Sequence, residues 1–272
     1  MTRRGPRRRA IPAALAALLV LGVLGCASGP GRADGASGPG TATSPAAGDA
    51  VAGELVVLAA ASLQGTFTEL AAVFEEAHPG VTVTLSFGGS SALARQLLAG
   101  APADLFAAAS AATMADAAEV TEDPVVFARN TLEIAVPPGN PGAVSGLADL
   151  ADPARLIALC AVEVPCGAAS ARVLEVAGLA PAPDTYEADV TATLTKVVLG
   201  EVDAALVYRT DVLAAGDAVE SIPFPEAVAA VNDYPVAVLT DAPNPAAARA
   251  FVALLLGNEA RAVLVAAGFA GG

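Results

Sequence analysis

The chain has 272 residues, 55% hydrophobic and 15% charged, with 14 Lys and Arg against 28 Asp and Glu and a formal net charge of -14. So acidic a balance excludes the basic footprint that nucleic acid or an anionic lipid surface requires. A single histidine, His78, and three cysteines leave little for histidine-based catalysis or a zinc site.

Five arginines (Arg3, Arg4, Arg7, Arg8, Arg9) precede an apolar run over residues 10–24, followed by Gly25 and Cys26. That order reads as a secretory signal. The run is short for a bilayer span and Pro12 breaks its start, so a retained transmembrane helix is the weaker reading. Val23-Leu24-Gly25-Cys26 resembles a bacterial lipobox, with Val where Leu is usual. Residues 1–26 are therefore expected to be a lipoprotein signal peptide, Cys26 its lipidation site, and the lipid the sole attachment to a membrane. Residues 27–52 are almost wholly Gly, Ala, Ser, Pro and Thr and read as a flexible tether. Loss of the leader leaves nine basic against 28 acidic residues. An anionic ligand would then have to be held by local N–H and O–H dipoles, not by net charge.

Beyond the tether, Leu55-Val56-Val57-Leu58 reads as a buried strand running into Ala59-Ala60-Ala61-Ser62. Leu63, Phe67, Leu70 and Phe74 lie at helical spacing, and His78-Pro79-Gly80 stops that helix before an alternating strand over 81–85. Gly88-Gly89-Ser90-Ser91 then leads into a helix with Leu93, Leu97 and Leu98, ending at Gly100. Strands are expected at 104–106, 131–136, 156–159, 204–208 and 236–239. Helices are expected from the turn Pro165-Cys166-Gly167 to Gly178, and over 190–199, 245–256 and 259–267. The alternation predicts an α/β fold in two lobes, each a mostly parallel sheet flanked by helices, with the ligand in the cleft. Residues 53–131 and 236–272 are expected to form lobe 1, and residues 132–235 lobe 2.

In open α/β sheets ligands bind beyond the carboxyl ends of strands, where loops lead into helix N-termini. Ser62, Ser90, Cys166 and Val190 all stand at such junctions. Each serine has a second reading as a plain helix cap. Asp189 reads as the N-cap of the helix at Val190. Cys160 and Cys166 either form a local disulfide in an oxidising compartment or remain two free thiols. Neither serine sits in G-x-S-x-G and His78 belongs to a turn, which argues against a secreted hydrolase. Adjacent Glu75 and Glu76 do not face each other on a helix, and no phosphate-binding G-x-x-x-x-G-K-[ST] motif occurs. Three scattered tyrosines do not cluster as an iron receptor would need.

The stretches A-A-A-S-L at 59–63, S-S-A-L-A-R-Q-L at 90–97, A-G-A-P-A-D-L-F at 99–106, E-V-P-C-G at 163–167 and L-V-Y-R-T-D at 206–211 resemble the molybdate-binding proteins of bacterial molybdate importers. Y-P-V-A-V at 234–238 and Gly268-Phe269 agree, so the resemblance covers nearly everything after the tether. It implies a periplasmic-binding-protein-like (type II) fold that takes molybdate or tungstate as an oxyanion, is not an enzyme, needs no cofactor, and serves an ABC importer as a monomer. It implies oxyanion donors at Ser62 and Ser90 (hydroxyl and main-chain N–H), Cys166 and Val190 (main-chain N–H) and Tyr208 (phenol). By itself, without the resemblance, Tyr208 reads more readily as a half-buried strand aromatic. The family more often has Ala where Cys166 stands, a change that a backbone donor tolerates. Arg95 and Arg209 receive no ligand role.

Overall fold

The computed structural model describes residues 51–272; the expected signal peptide, Cys26 and the tether up to residue 50 lie outside the described residues. The chain opens with β1 (Gly53–Ala60), a 3-10 turn (Ala61–Leu63), α1 (Gln64–Ala77), β2 (Val81–Gly88), α2 (Ser90–Leu98), β3 (Leu105–Ala107), α3 (Ala111–Asp116) and β4 (Val125–Asn130). β1 becomes a central strand because its apolar run from Leu55 lets both faces be covered. α1 lays Phe67, Leu70, Ala71 and Phe74 against the sheet, and Pro79 prevents its continuation.

One residue after β4 the chain enters β5 (Leu132–Val136), followed by β6 (Ile157–Cys160), α4 (Pro165–Val176), β7 (Thr185–Glu187), α5 (Val190–Val198), β8 (Ala204–Tyr208), α6 (Arg209–Ala215) and β9 (Glu220–Ile222). It then returns through β10 (Asn232–Val238), α7 (Pro245–Leu255), α8 (Asn258–Ala266) and β11 (Ala270–Gly271).

Among the described residues these strands form a six-stranded sheet, β11-β4-β10-β3-β1-β2, and a five-stranded sheet, β7-β6-β8-β5-β9. Both are mixed, which corrects the expectation of mostly parallel sheets. β1 pairs in parallel with β2 and β3, and β6 with β7 and β8, but β10 runs antiparallel to β3 and β4, and β5 antiparallel to β8 and β9. The cause lies in the two crossings between sheets. β1, β2, β6 and β8 end where the sheets meet, whereas a strand arriving from the other sheet must begin there and run the opposite way. β10 joins the first sheet from Asn232, ahead of the change of lobe expected at 236.

Two local details also differ from the sequence reading. The expected turn Pro165-Cys166-Gly167 is the first turn of α4, because Pro165 occupies a position where its missing N–H costs nothing. Asp104, expected as strand, precedes β3 and instead accepts the Val56 N–H at 2.8 Å. Among the described residues no helix is long and apolar enough to cross a membrane.

Candidate functional site

The carboxyl ends of β1, β2, β6, β7 and β8 bring the 3-10 turn at Ala61, the N-termini of α2, α4 and α5, and Tyr208 to one point on the seam. They surround a small cavity with about 220 Å³ of empty space. Ser62, Ser90, Cys166, Val190 and Tyr208 all line it, joined by Asp189 and by small residues such as Ala60, Gly89 and Ala109. A larger groove of about 1330 Å³ runs beside it between α1, α5 and α6, but of these five residues it holds Ser62 alone.

Neither serine hydroxyl is spent on capping. Ser62 sits inside the 3-10 turn and its Oγ lies 2.8 Å from Tyr234 Oη. Ser90 is the first residue of α2, behind Gly89 as N-cap, and its Oγ accepts the Ala109 N–H at 3.0 Å. Cys166 and Val190 belong to the first turns of α4 and α5, where backbone N–H groups lack an acceptor within the helix. Asp189 caps α5, its Oδ1 accepting the Ala192 N–H at 2.8 Å. Cys160 and Cys166 are joined by a disulfide with Cα atoms 5.8 Å apart, so the first turn of α4 is tied to the end of β6.

Tyr208 closes β8 and is fully buried, with Asn232 Nδ2 donating to its Oη at 2.9 Å. Burial first, and then the neighbouring Tyr234 and Asp211, hold its phenol well above the ordinary tyrosine range. Burial does the same for Tyr234. Both therefore stay protonated as neutral donors at neutral pH. Asp211 accepts the Tyr208 N–H at 3.0 Å. Burial pushes its carboxyl up to about 7, with Asp189 adding to the rise and the Tyr208 bond opposing it.

The two sheets meet tightly over the cavity. Ser91 Oγ, on α2, donates to Glu163 O, just ahead of α4, at 2.6 Å. A Cβ at Gly89 would lie 2.5 Å from Ala188 O, so only glycine permits this approach. Arg95 and Arg209 stay out of the lining, Arg209 lying 3.9 Å from Glu133 on the surface. His78 packs on Phe74 with ring centroids 4.5 Å apart, remote from the lining. Among the described residues no group of three or more His, Cys, Asp and Glu could hold a metal ion.

Sequence reasoning missed Ser91, Gly89, and the layer behind the cavity formed by Asn130, Asn232 and Tyr234. The doubled Gly88-Gly89 and Ser90-Ser91 were the available signal for a close approach; nothing local marks the two asparagines.

Two sheets linked by two crossings, closing on a small cavity fringed by helix N-termini, define a two-lobed solute-binding protein. The chain belongs to the bacterial extracellular solute-binding protein family, whose description matches residues 55–270. It is 40% identical over 259 residues to the molybdate-binding protein ModA of Mycobacterium bovis, covering 94% of this chain and 95% of that one. In structure it resembles the periplasmic molybdate-binding protein of Azotobacter vinelandii, with a TM-score of 0.67 and 22% identity over 79% of this chain and 98% of that one. It also resembles the sulfate-binding protein SubI of Mycobacterium tuberculosis, with a TM-score of 0.70 and 19% identity over 80% of this chain and 86% of that one. The fold is thus periplasmic-binding-protein-like, and the protein is a binding protein, not an enzyme.

Proposed function

We propose that the protein captures molybdate, and equally tungstate, outside the cytoplasm and delivers it to an ABC importer. In this reading a lipid on Cys26 holds it to the membrane, the tether gives it reach, and it works as a monomer. The lobes are residues 53–131 with the chain from Asn232 onward, and the segment between.

The observation that carries the reading is the convergence of Ser62, Ser90, Cys166, Val190 and Tyr208 on one small cavity. A tetrahedral dianion offers acceptor oxygens only, and its desolvation must be offset by several good hydrogen bonds. Two serine hydroxyls, a phenol and first-turn N–H groups supply them without a countercharge, and helix dipoles add partial positive charge. An acidic protein can hold an anion this way because such dipoles act locally. The 40% identity to a molybdate-binding protein agrees with this ligand. The equally good structural match to a sulfate receptor means that fold alone does not choose between the two anions. Cavity size must do that, since both share shape and charge.

Titration calorimetry with molybdate, tungstate, sulfate and phosphate tests the proposal. Tight binding of the first two alone is expected. No heat with either metal oxide, from a sample that unfolds cooperatively, would overturn it.

A further inference from the structure

Behind the cavity lies a layer of polar side chains to which anion binding as described gives no task. Asn130 ends β4, and Asn232 and Tyr234 stand on β10; the chemistry of their neighbours fixes the orientation of both amides. Asn232 Nδ2 lies 2.7 Å from Ala109 O, which can only accept, so this end of the amide is the NH2 group. It also donates to Tyr208 Oη at 2.9 Å. Asn130 Oδ1 accepts the Thr131 N–H at 3.0 Å, so its Nδ2 is the donor facing Thr210 Oγ1 at 2.8 Å and Tyr234 Oη at 3.4 Å. Tyr234 Oη is an acceptor on that side, and its own proton is able to go to Ser62 Oγ at 2.8 Å, a contact in which either oxygen can donate. Ser90 Oγ already accepts the Ala109 N–H.

The Ser90 and Tyr208 oxygens each meet a protein donor, and Ser62 does so when Tyr234 donates to it; each then has one proton to give. The Tyr208 proton has the neutral Tyr234 oxygen nearby as an alternative acceptor. An anionic oxygen is the stronger acceptor. The one carboxylate in the lining, Asp189, is turned to the Ala192 N–H.

We propose that Asn232 and Tyr234 are positioning residues that hold the Tyr208 and Ser62 hydroxyls with their protons aimed into the cavity, so that its hydroxyls act only as donors and disfavour an oxyanion that keeps a proton. The inference rests on the anion-binding reading above and adds a rule of selection: between dianions of similar size, hydrogen phosphate is penalised because none of these hydroxyls accepts its proton.

The test is a pair of double-mutant cycles on the full chain, read by calorimetry with molybdate and by competition with hydrogen phosphate. Tyr234→Phe keeps the ring against Phe269 and removes only the oxygen. Ser62→Ala and Tyr234→Phe are each expected to weaken molybdate about three- to tenfold, and Tyr234→Phe to add less than about twofold once Ser62 is Ala. Asn232→Leu should behave likewise with Tyr208→Phe. The preference for molybdate over hydrogen phosphate should fall in Tyr234→Phe, because the released Ser62 hydroxyl can turn and accept; general damage would weaken both anions alike. Additive losses in both double variants, or unchanged preference, overturn this inference alone. A silent Ser62→Ala overturns it together with the role of Ser62 in anion binding.

Discussion

Ser90 shows how tightly binding and folding are joined at single residues. Its oxygen accepts the Ala109 N–H while its proton has no protein acceptor among the described residues, so Ser90→Ala would remove a donor proposed for the anion and also orphan a buried backbone N–H. We expect about 1–3 kcal/mol of lost stability beside the weaker molybdate affinity, measured by urea unfolding and calorimetry; an undisturbed midpoint would mean that Ala109 finds another partner. Asp211 makes the complementary case, a carboxyl raised from 3.8 to about 7 chiefly by burial. Between those values the folded state keeps a proton that the unfolded chain has lost, so unfolding free energy falls as pH rises and stays lowered above about pH 7. Asp211→Asn retains an oxygen for the Tyr208 N–H, and its urea midpoint should exceed that of the parent at pH 8 and converge with it near pH 4. Parallel curves would show that the carboxyl titrates normally. Ser62, Ser90 and Val190 were legible because each ends a strand and opens a helix within a few residues. The partners that orient them were not, since Ser62 and Tyr234 stand 172 positions apart and only the packed sheet brings them together.

At the scale of elements, apolar runs long enough to be covered on both faces, such as 55–58 and 204–208, could be read directly as strands. So could helices with marked N-termini, such as α5 behind Asp189 and α7 behind Asn244. β7 and β9 escaped because three residues of mixed polarity set up no apolar pattern; β4 carried a usable signal in its apolar start over 125–128. α6 escaped because it follows β8 with no intervening loop residue, so the chain passes from strand to helix at Tyr208 itself. The element with most at stake is α4, whose first turn presents the Cys166 N–H. It is pinned by the disulfide and by Gly167, where a Cβ would collide with Ala161 O. The bridge closes a loop of separation 6, for which loop-closure entropy gives about 2 kcal/mol of stabilisation. Reduction should lower the unfolding free energy by that order and weaken molybdate binding, because the loosened segment also carries Glu163 O. A reduced protein that unfolds at the same denaturant concentration would show that Pro165 and the packing of α4 hold the turn unaided.

For the whole molecule, the decisive feature is that among the described residues two sheets linked by two crossings meet over the small cavity. In the clamp reading of the proposed function, the lobes hinge about these crossings, and closure is favoured by contacts made only when the lobes meet. Two such contacts are visible: the Ser91 Oγ to Glu163 O bond, and the approach of Gly89 to Ala188 O that brings the α2 and α5 N-termini to the same cavity. Gly89 has φ -61° and ψ 125°, a conformation alanine adopts freely, so Gly89→Ala carries no backbone penalty. Its Cβ, however, would stand 2.5 Å from Ala188 O, closer than real contacts allow, and the lobes would have to stay parted. The variant is expected to unfold like the parent, to lose at least about tenfold in molybdate affinity, and to show no ligand-induced compaction in small-angle scattering. Gly65→Ala is the control, for there an added methyl meets nothing within 4 Å and should change neither property. Wild-type affinity in Gly89→Ala would mean that molybdate does not need both lobes, and that a hinged clamp is the wrong picture of its binding.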